Sequence, residues 1–400
     1  MIGPAQSAPQ PGEDFFRSRW IKRSGLGAVE QLDPSSLAPG FGAAGVHCGL
    51  KGSGGTDLGL IVCDPVEDGL ASALLLTKNA SAAAPIRLCR DLTEQAAIRA
   101  CIVNSGNANA ATGEPGLRDA ATMQRLTADA LGVDPSAVAV AETGVIGVPL
   151  PIDLICAAIP SLVEQADPEG GAGFSEAIMT TDRWPKRCCL RRDGVTLSAQ
   201  AKGAGMIEPG FATMLCFVQT DARLGRDGES RLRGAVAESF ERITVDGQMS
   251  TNDMVLLQGS GAAALPLPDG MLEAVLLQLA LEIVGDGEGA TRICRVEVAE
   301  AADLEEAERV ARAIANSPLV KTALFGHDPN WGRIAQAAGM ALAGVELAEL
   351  GPDRIDAAGL GGGERESEIS LRLGRGDRSA RVYFSDLNHN YISINAEYTT

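Results

Sequence analysis

The chain has 400 residues, of which 45% are hydrophobic and only 4% aromatic; this is enough for one or two buried cores and too apolar for a disordered or fibrous protein. A formal net charge of −18 argues against capture of nucleic acid or anionic lipid, and the longest apolar stretch, 272–284, is broken by Glu273, Gln278 and Glu282 before it reaches the roughly 18 apolar residues of a membrane span. A soluble protein acting on a small molecule is the expectation, with His47, His327 and His389 as its entire supply of imidazole.

Residues 1–14 lack the basic start and apolar core of a secretory signal, and their Pro, Gln and Ser content predicts a disordered tail over 1–15. The nine cysteines are an odd number scattered mostly singly through apolar runs such as Ile61-Val62-Cys63, the usage of a reducing, cytoplasmic compartment. With no CxxC pair or Cys/His cluster, no metal site is expected, and Cys188-Cys189 reads as packing rather than redox chemistry.

Beyond the tail, glycine-bounded β-rich segments alternate with Ala-rich helical ones, predicting a mixed α/β fold. Strands are expected at 58–62 and 99–103, helices at 117–131 and 152–165, then a strand at 214–220 and helices at 231–240 and 271–284. After a strand at 295–298, Asp303 stands at an N-cap position with Glu306 three residues on, and Leu304, Ala307, Val310, Ala311 and Ile314 recur at helical spacing. Gly361-Gly362-Gly363 reads as a flexible loop without the Lys and Ser/Thr of a P-loop. Between expected strands at 368–373 and 381–384, Gly374-Arg375-Gly376-Asp377 reads as the turn of a β-hairpin rather than an adhesion ligand.

The segment richest in chemistry is Lys202-Gly203-Ala204-Gly205-Met206-Ile207-Glu208-Pro209-Gly210-Phe211-Ala212-Thr213, a Gly/Pro-rich loop ending where the strand at 214–220 begins. If the Ala212-Thr213 peptide were cut, Thr213 would carry a hydroxyl nucleophile and a free α-amine. Such an amine has a pKa of about 7.7–8.0 and can take the hydroxyl proton without any histidine. On spacing alone, however, Thr213 reads as an ordinary β-branched residue opening a buried strand rather than as a nucleophile. Thr143-Gly144 alone is a turn dipeptide, and Glu288 and Thr400 alone are solvated polar residues.

A resemblance changes these readings. The segment resembles the self-cleavage motif of the ornithine acetyltransferase (glutamate N-acetyltransferase) family. Further blocks resemble that family in the same order: Asn104-Ser105-Gly106-Asn107-Ala108-Asn109-Ala110, Glu142-Thr143-Gly144-Val145-Ile146-Gly147, Thr244-Val245-Asp246-Gly247 with Ser250-Thr251-Asn252-Asp253, Asp328-Pro329-Asn330-Trp331-Gly332-Arg333 and the closing Ser393-Ile394-Asn395-Ala396-Glu397-Tyr398-Thr399-Thr400. The resemblance runs from about Gly40 to the last residue. It implies interlocked sheets flanked by helices, and self-cleavage between Ala212 and Thr213 into an α chain ordered over 16–212 and a β chain of 213–400. It further implies transfer of acetyl from N-acetylornithine to glutamate through an acetyl-Thr213 ester. Thr143 and Gly144 would form the oxyanion hole, with Thr180 or Thr181, Lys202, Thr213, Glu288, Asn395 and Thr400 binding substrate.

No cofactor is implied, although acetyl-CoA is an alternative acetyl donor, and assembly as a heterotetramer of two α and two β chains in the cytoplasm is expected. Gln248-Met249, His327 and Leu76 depart from the family pattern and leave open a role in a specialised pathway; His327 is expected to be structural. The competing readings are an N-terminal-nucleophile amidohydrolase or aminopeptidase, with water as acceptor, and a non-catalytic binding homologue.

Overall fold

In the computed structural model, which describes residues 13–208 and 214–397, the period-2 side-chain alternation of the strands produces two sheets, each buried on both faces. In the strand Ala100–Asn107, Ala100 and Ile102 face one apolar cluster while Cys101 and Val103 face another. Its parallel neighbour Val138–Val145 divides in the same way, Val138 and Val140 against Ala139 and Ala141. With Phe41–Val46 and Leu58–Cys63 they form a four-stranded sheet. Helices Gly113–Leu131 and Ile152–Glu164 cover its outer face through Ala120, Met123, Ile155, Ile159 and Leu162.

Its inner face meets a six-stranded sheet ordered Glu30–Gln31, Lys186–Arg192, Val195–Lys202, Leu215–Thr220, Met254–Gly259, Ala71–Leu76. Leu215, Phe217, Met254 and Leu256 point into the seam between the sheets, beside Ile61, Val103 and Ala141. The alternate residues Cys216, Val218, Val255 and Leu257 turn outward onto helices Gly228–Ala237 and Met271–Gly285. The result is a helix–sheet–sheet–helix stack, the arrangement that lets strands as apolar as these bury both faces. The expectation of mixed α/β layers, with sheets flanked by helices, is met. A further five-stranded sheet, ordered Ile243–Thr244, Arg378–Ser385, Ile293–Ala301, Glu366–Arg372, Ile355–Asp356, packs on helix Leu304–Asn316.

That last helix starts as predicted: Asp303 accepts the Glu306 N–H at 2.8 Å, and Glu306 Oε2 accepts the Ala302 N–H at 2.8 Å. Ala307, Val310, Ala311 and Ile314 are buried, but Leu304 lies outside the apolar stripe at 49% exposure. The cysteines are free thiols; Cys188 and Cys189 point to opposite faces of their strand and are buried.

Several expectations need correction. Residue 15 does not belong to a disordered segment: Phe15 and Phe16 are buried in the core under helix Met271–Gly285 and Arg17 pairs with Glu282 at 3.0 Å, while residues 1–12 of the expected tail lie outside the described residues. Gly374-Arg375-Gly376-Asp377 does not close a hairpin: Glu366–Arg372 and Arg378–Ser385 lie on opposite sides of Ile293–Ala301, parallel and antiparallel to it respectively. The connection crosses the end of that strand, with the Arg375 and Gly376 amides donating to the Glu300 carbonyl and Arg375 paired with Glu306. Gly361 ends the short helix Ala358–Gly361, and His327 Nδ1 lies 2.8 Å from the Gly362 carbonyl.

Candidate active site

The strand Leu215–Thr220 is central to its sheet, and its first residue pairs with Lys202 on one side and Met254 on the other. Lys202 is thus the last residue of a strand rather than part of a loop. Ala212, Thr213 and Thr400 lie outside the described residues. What is described are the two points from which the chain leaves and returns. Upstream, Met206 and Ile207 donate their amides to the two carboxylate oxygens of Asp246 at 2.5 and 2.9 Å. Met206 has φ +58°, a left-handed conformation that costs a non-glycine residue on the order of 1 kcal/mol, which the charge-assisted hydrogen bonds offset. Downstream, the Met214 amide donates to Asp253 Oδ1 at 3.1 Å. Asp253 is buried, and burial pushes its carboxyl well above the ordinary carboxylate range.

From the other sheet comes the turn that faces this strand. Ser105 pairs with Thr143 and Gly106 with Gly144 at the ends of parallel strands. Gly144 has φ +135°, and a Cβ there would stand 2.4 Å from the Gly106 carbonyl carbon and 2.6 Å from the Asn107 nitrogen, so the turn admits only glycine. Thr143 Oγ1 accepts a hydrogen bond from Lys202 Nζ at 3.3 Å, joining the two sheets across the site. Asn252 reinforces the junction, its Nδ2 donating to the carbonyls of Ala108 and Glu142 at 2.7 and 2.9 Å.

The electrostatics are those of a buried charge cluster. Lys202 is 2% exposed, and burial lowers its pKa against the pull of Asp182, Asp253 and Glu288. Burial alone would raise Asp182, but Lys186, Lys202 and the Gly203 amide together hold its carboxyl below the usual range. Glu288 is oriented at both oxygens: Thr181 Oγ1 donates to Oε1 at 2.8 Å and Asn395 Nδ2 donates to Oε2 at 2.7 Å. Its carboxylate lies against Gly205, where a Cβ would come within 2.5 Å of it.

These residues line an open cleft with a cavity volume of about 100 Å³. Thr143, Gly144, Thr180, Thr181, Lys202, Glu288 and Asn395, drawn from distant parts of the sequence, all line it, together with Met206 and Ser250 to Asn252. Both threonines of the 180–181 pair face the cleft; Thr181 commits its hydroxyl to Glu288, whereas Thr180 is held through its amide on Asp182 at 3.0 Å. Sequence reasoning missed Asp182, Lys186, Asp286 and Asp246, although Asp182 directly follows the threonine pair and Asp246 lies in one of the resemblance blocks. Among the described residues, no three His, Cys, Asp or Glu side chains gather as a metal-binding group, and no helix is long and apolar enough to cross a membrane.

The sequence pattern of the ArgJ family matches residues 42–400. The arginine biosynthesis bifunctional protein ArgJ of Symbiobacterium thermophilum is 43% identical over 405 aligned positions, covering 93% of this chain and 100% of that protein. The protein of the same name from Geobacter sulfurreducens is 43% identical, covering 90% and 99%. Among solved structures, ornithine acetyltransferase of Mycobacterium tuberculosis, complexed with ornithine, is 36% identical and covers 46% of this chain and 98% of that one, with a TM-score of 0.43.

Proposed function

The chain belongs to the ArgJ family, and from that premise we propose that it is an acyltransferase of arginine biosynthesis moving acetyl from N2-acetyl-L-ornithine to L-glutamate, with ornithine and N-acetylglutamate as products. The observation that carries this reading is that Thr143, Gly144, Lys202 and Glu288 share one cleft at the start of the strand that follows Thr213.

The chemistry begins with self-cleavage. The Thr213 hydroxyl attacks the Ala212 carbonyl, the peptide C–N bond breaks as the acyl group moves to oxygen, and water hydrolyses the ester. This leaves an Ala212 carboxylate and a free Thr213 amine. The amine then takes the hydroxyl proton as the oxygen attacks the acetyl carbonyl of N-acetylornithine. The Thr143 hydroxyl and Gly144 N–H stabilise the oxyanion; collapse expels the ornithine amine, which takes the proton. The glutamate amine then attacks the acetyl-threonine ester through a second oxyanion at the same donors; collapse breaks the ester C–O bond, and the proton lost by the glutamate amine returns through the Thr213 α-amine to the Thr213 oxygen.

Lys202 pairs with the substrate α-carboxylate, and Glu288 with the ornithine ammonium. Thr180, Asn395 and Thr400 complete the binding set, with Thr181 holding Glu288. Acetyl-CoA is a candidate second donor, and no cofactor or metal takes part in the proposed steps. Fragments 1–212 and 213–400 stay associated because Val195–Lys202 and Leu215–Thr220, on either side of the cut, pair along their length; two of each form the cytoplasmic heterotetramer.

The test is a mass spectrum with a labelled-acetyl assay. Purified protein should give fragments divided at Ala212-Thr213, Thr213→Ala should stay whole, and label should pass from acetylornithine to glutamate. An intact wild type with full activity, or label released only as acetate in abundant glutamate, would refute the proposal.

A further inference from the structure

Directly behind the Thr143-Gly144 turn lies a carboxyl group with an incomplete set of hydrogen bonds. Glu142 is fully buried on the face of its strand shared with Val138 and Val140, opposite to the face of Thr143. Asn109 Nδ2 donates to its Oε1 at 2.9 Å, but Oε2 has no partner. Across the parallel pair, in register with Glu142, stands Asn104, also fully buried and on the same face as Ile102. Asn104 donates Nδ2 to the Asn107 carbonyl at 2.9 Å, and its Oδ1 likewise has no partner. An amide oxygen can only accept, and so can an ionised carboxylate. Two neighbouring buried acceptors with nothing to accept are costly, and a single proton would turn them into a donor and an acceptor.

We propose that Glu142 is a positioning residue kept as a neutral carboxylic acid, its proton bridging Oε2 to Asn104 Oδ1 and so locking together the two strand ends that carry Asn107 and the Thr143-Gly144 turn. The surroundings favour the neutral form. The charged and titratable groups facing Glu142 are Asp119 on helix Gly113–Leu131 and the Cys89 thiol on helix Ala84–Leu92, neither of them cationic. Burial pushes the carboxyl up to about 8. Asn252, by holding the Glu142 and Ala108 carbonyls, ties the same strand ends to the other sheet. Ionisation places a buried anion behind the donors that must stabilise an oxyanion and breaks the bridge to Asn104. The kinetic consequence rests on the acetyl-transfer reading; the proton does not.

Two measurements on the mature enzyme test this. Glu142→Gln offers a donor to Asn104 and an acceptor to Asn109 at every pH, so it mimics the protonated acid permanently. With a group titrating at about 8, the ratio of variant to wild-type turnover should rise about tenfold between pH 7 and pH 9, one proton costing a factor of ten per unit above its pKa. Infrared difference spectra, wild type minus variant, near pH 6 should show a buried protonated-carboxyl C=O band that shifts on exchange into D₂O; Asp253, whose carboxyl is also raised by burial, is common to both proteins and cancels. An alkaline limb identical in the two proteins overturns the positioning role, and a difference spectrum without the band overturns the proton. If no acetyl transfer is found at all, the functional reading fails while the infrared result still decides the protonation.

Discussion

Lys186 Nζ lies 2.6 Å from Asp182 Oδ1, with both side chains fully buried. The same ammonium stands 2.6 Å from Asp286 Oδ2, while Asp182 also accepts the amides of Gly203 at 2.7 Å and Thr180 at 3.0 Å. One buried cation therefore fixes three pieces of the cleft: the 180–181 pair, the backbone leaving Lys202, and the turn that presents Glu288. Burial would depress the lysine, but its two carboxylates hold it above its ordinary value.

Lys186→Met should accordingly cost about 3–5 kcal/mol, the usual penalty for leaving buried charges unpaired, read by urea denaturation. The pH dependence has a definite sign. Asp182 is depressed in the folded state, so its contribution is present above the ordinary carboxylate value of 3.8 and is lost as pH falls through the lower folded value. Stability should decline below about pH 4, and Asp182→Asn should flatten that decline; a variant as acid-sensitive as wild type would show that this carboxylate carries none of it.

Gly144→Ala tests the turn. The added Cβ meets backbone at 2.4 Å and must adopt φ +135°, so the turn has to shift and its N–H with it. Turnover should fall about 10²- to 10³-fold, as for loss of one oxyanion donor. Gly147→Ala is the control, since Gly147 also has a positive φ of +80° but open space around it; it should cost on the order of 1 kcal/mol of stability and little turnover. Equal kinetic effects from the two substitutions would count against a special role for Gly144.

For Glu288, charge and orientation separate. Glu288→Gln keeps the side-chain shape but removes the charge proposed to meet the ornithine ammonium, a loss of about 1.5–3 kcal/mol. KM for acetylornithine should rise at least tenfold with a smaller change for glutamate. Thr181→Val removes only the hydrogen bond to Oε1, worth about 1 kcal/mol, and should raise the same KM about fivefold. If the glutamate KM rises in step with that for acetylornithine, Glu288 is not the selective group.

How much of this was legible in sequence depended on whether a signal was local. The strand expected at 58–62 is observed as Leu58–Cys63, because its apolar run and glycine neighbours suffice to mark it. The strand expected at 99–103 continues to Asn107, since Asn104, Ser105 and Asn107 keep pairing although they are polar. Val195–Lys202 escaped notice for a related reason: Ser198 and Gln200 interrupt its apolar pattern, yet it is buried throughout, and Ser198 donates to Gln219 Oε1 at 2.8 Å on the adjoining strand. The misread hairpin at Gly374 failed because the strand inserted between its arms comes from some eighty residues earlier, Ile293–Ala301, and no local pattern announces such an insertion. In the site, threonines and glycines were legible through ordered motifs. Lys186 was not, since a lysine four residues after an aspartate looks like any solvated pair until the sheet buries it.

Asp246 holds Met206 and Ile207, and Asp253 holds Met214, so one segment grips the chain on both sides of the proposed cut. Asp246→Ala leaves the left-handed φ of Met206 unsupported and should slow the appearance of the two fragments about tenfold or more, followed by mass spectrometry after synthesis. A glycine adopts that φ without strain, so Met206→Gly in the Asp246→Ala background should recover part of the rate. A purely global loss of stability predicts no such recovery, because glycine adds backbone freedom to the unfolded chain. Cleavage of Asp246→Ala at the wild-type rate would mean that the upstream grip contributes nothing to processing, and would leave Asp253 as the residue to test in its place.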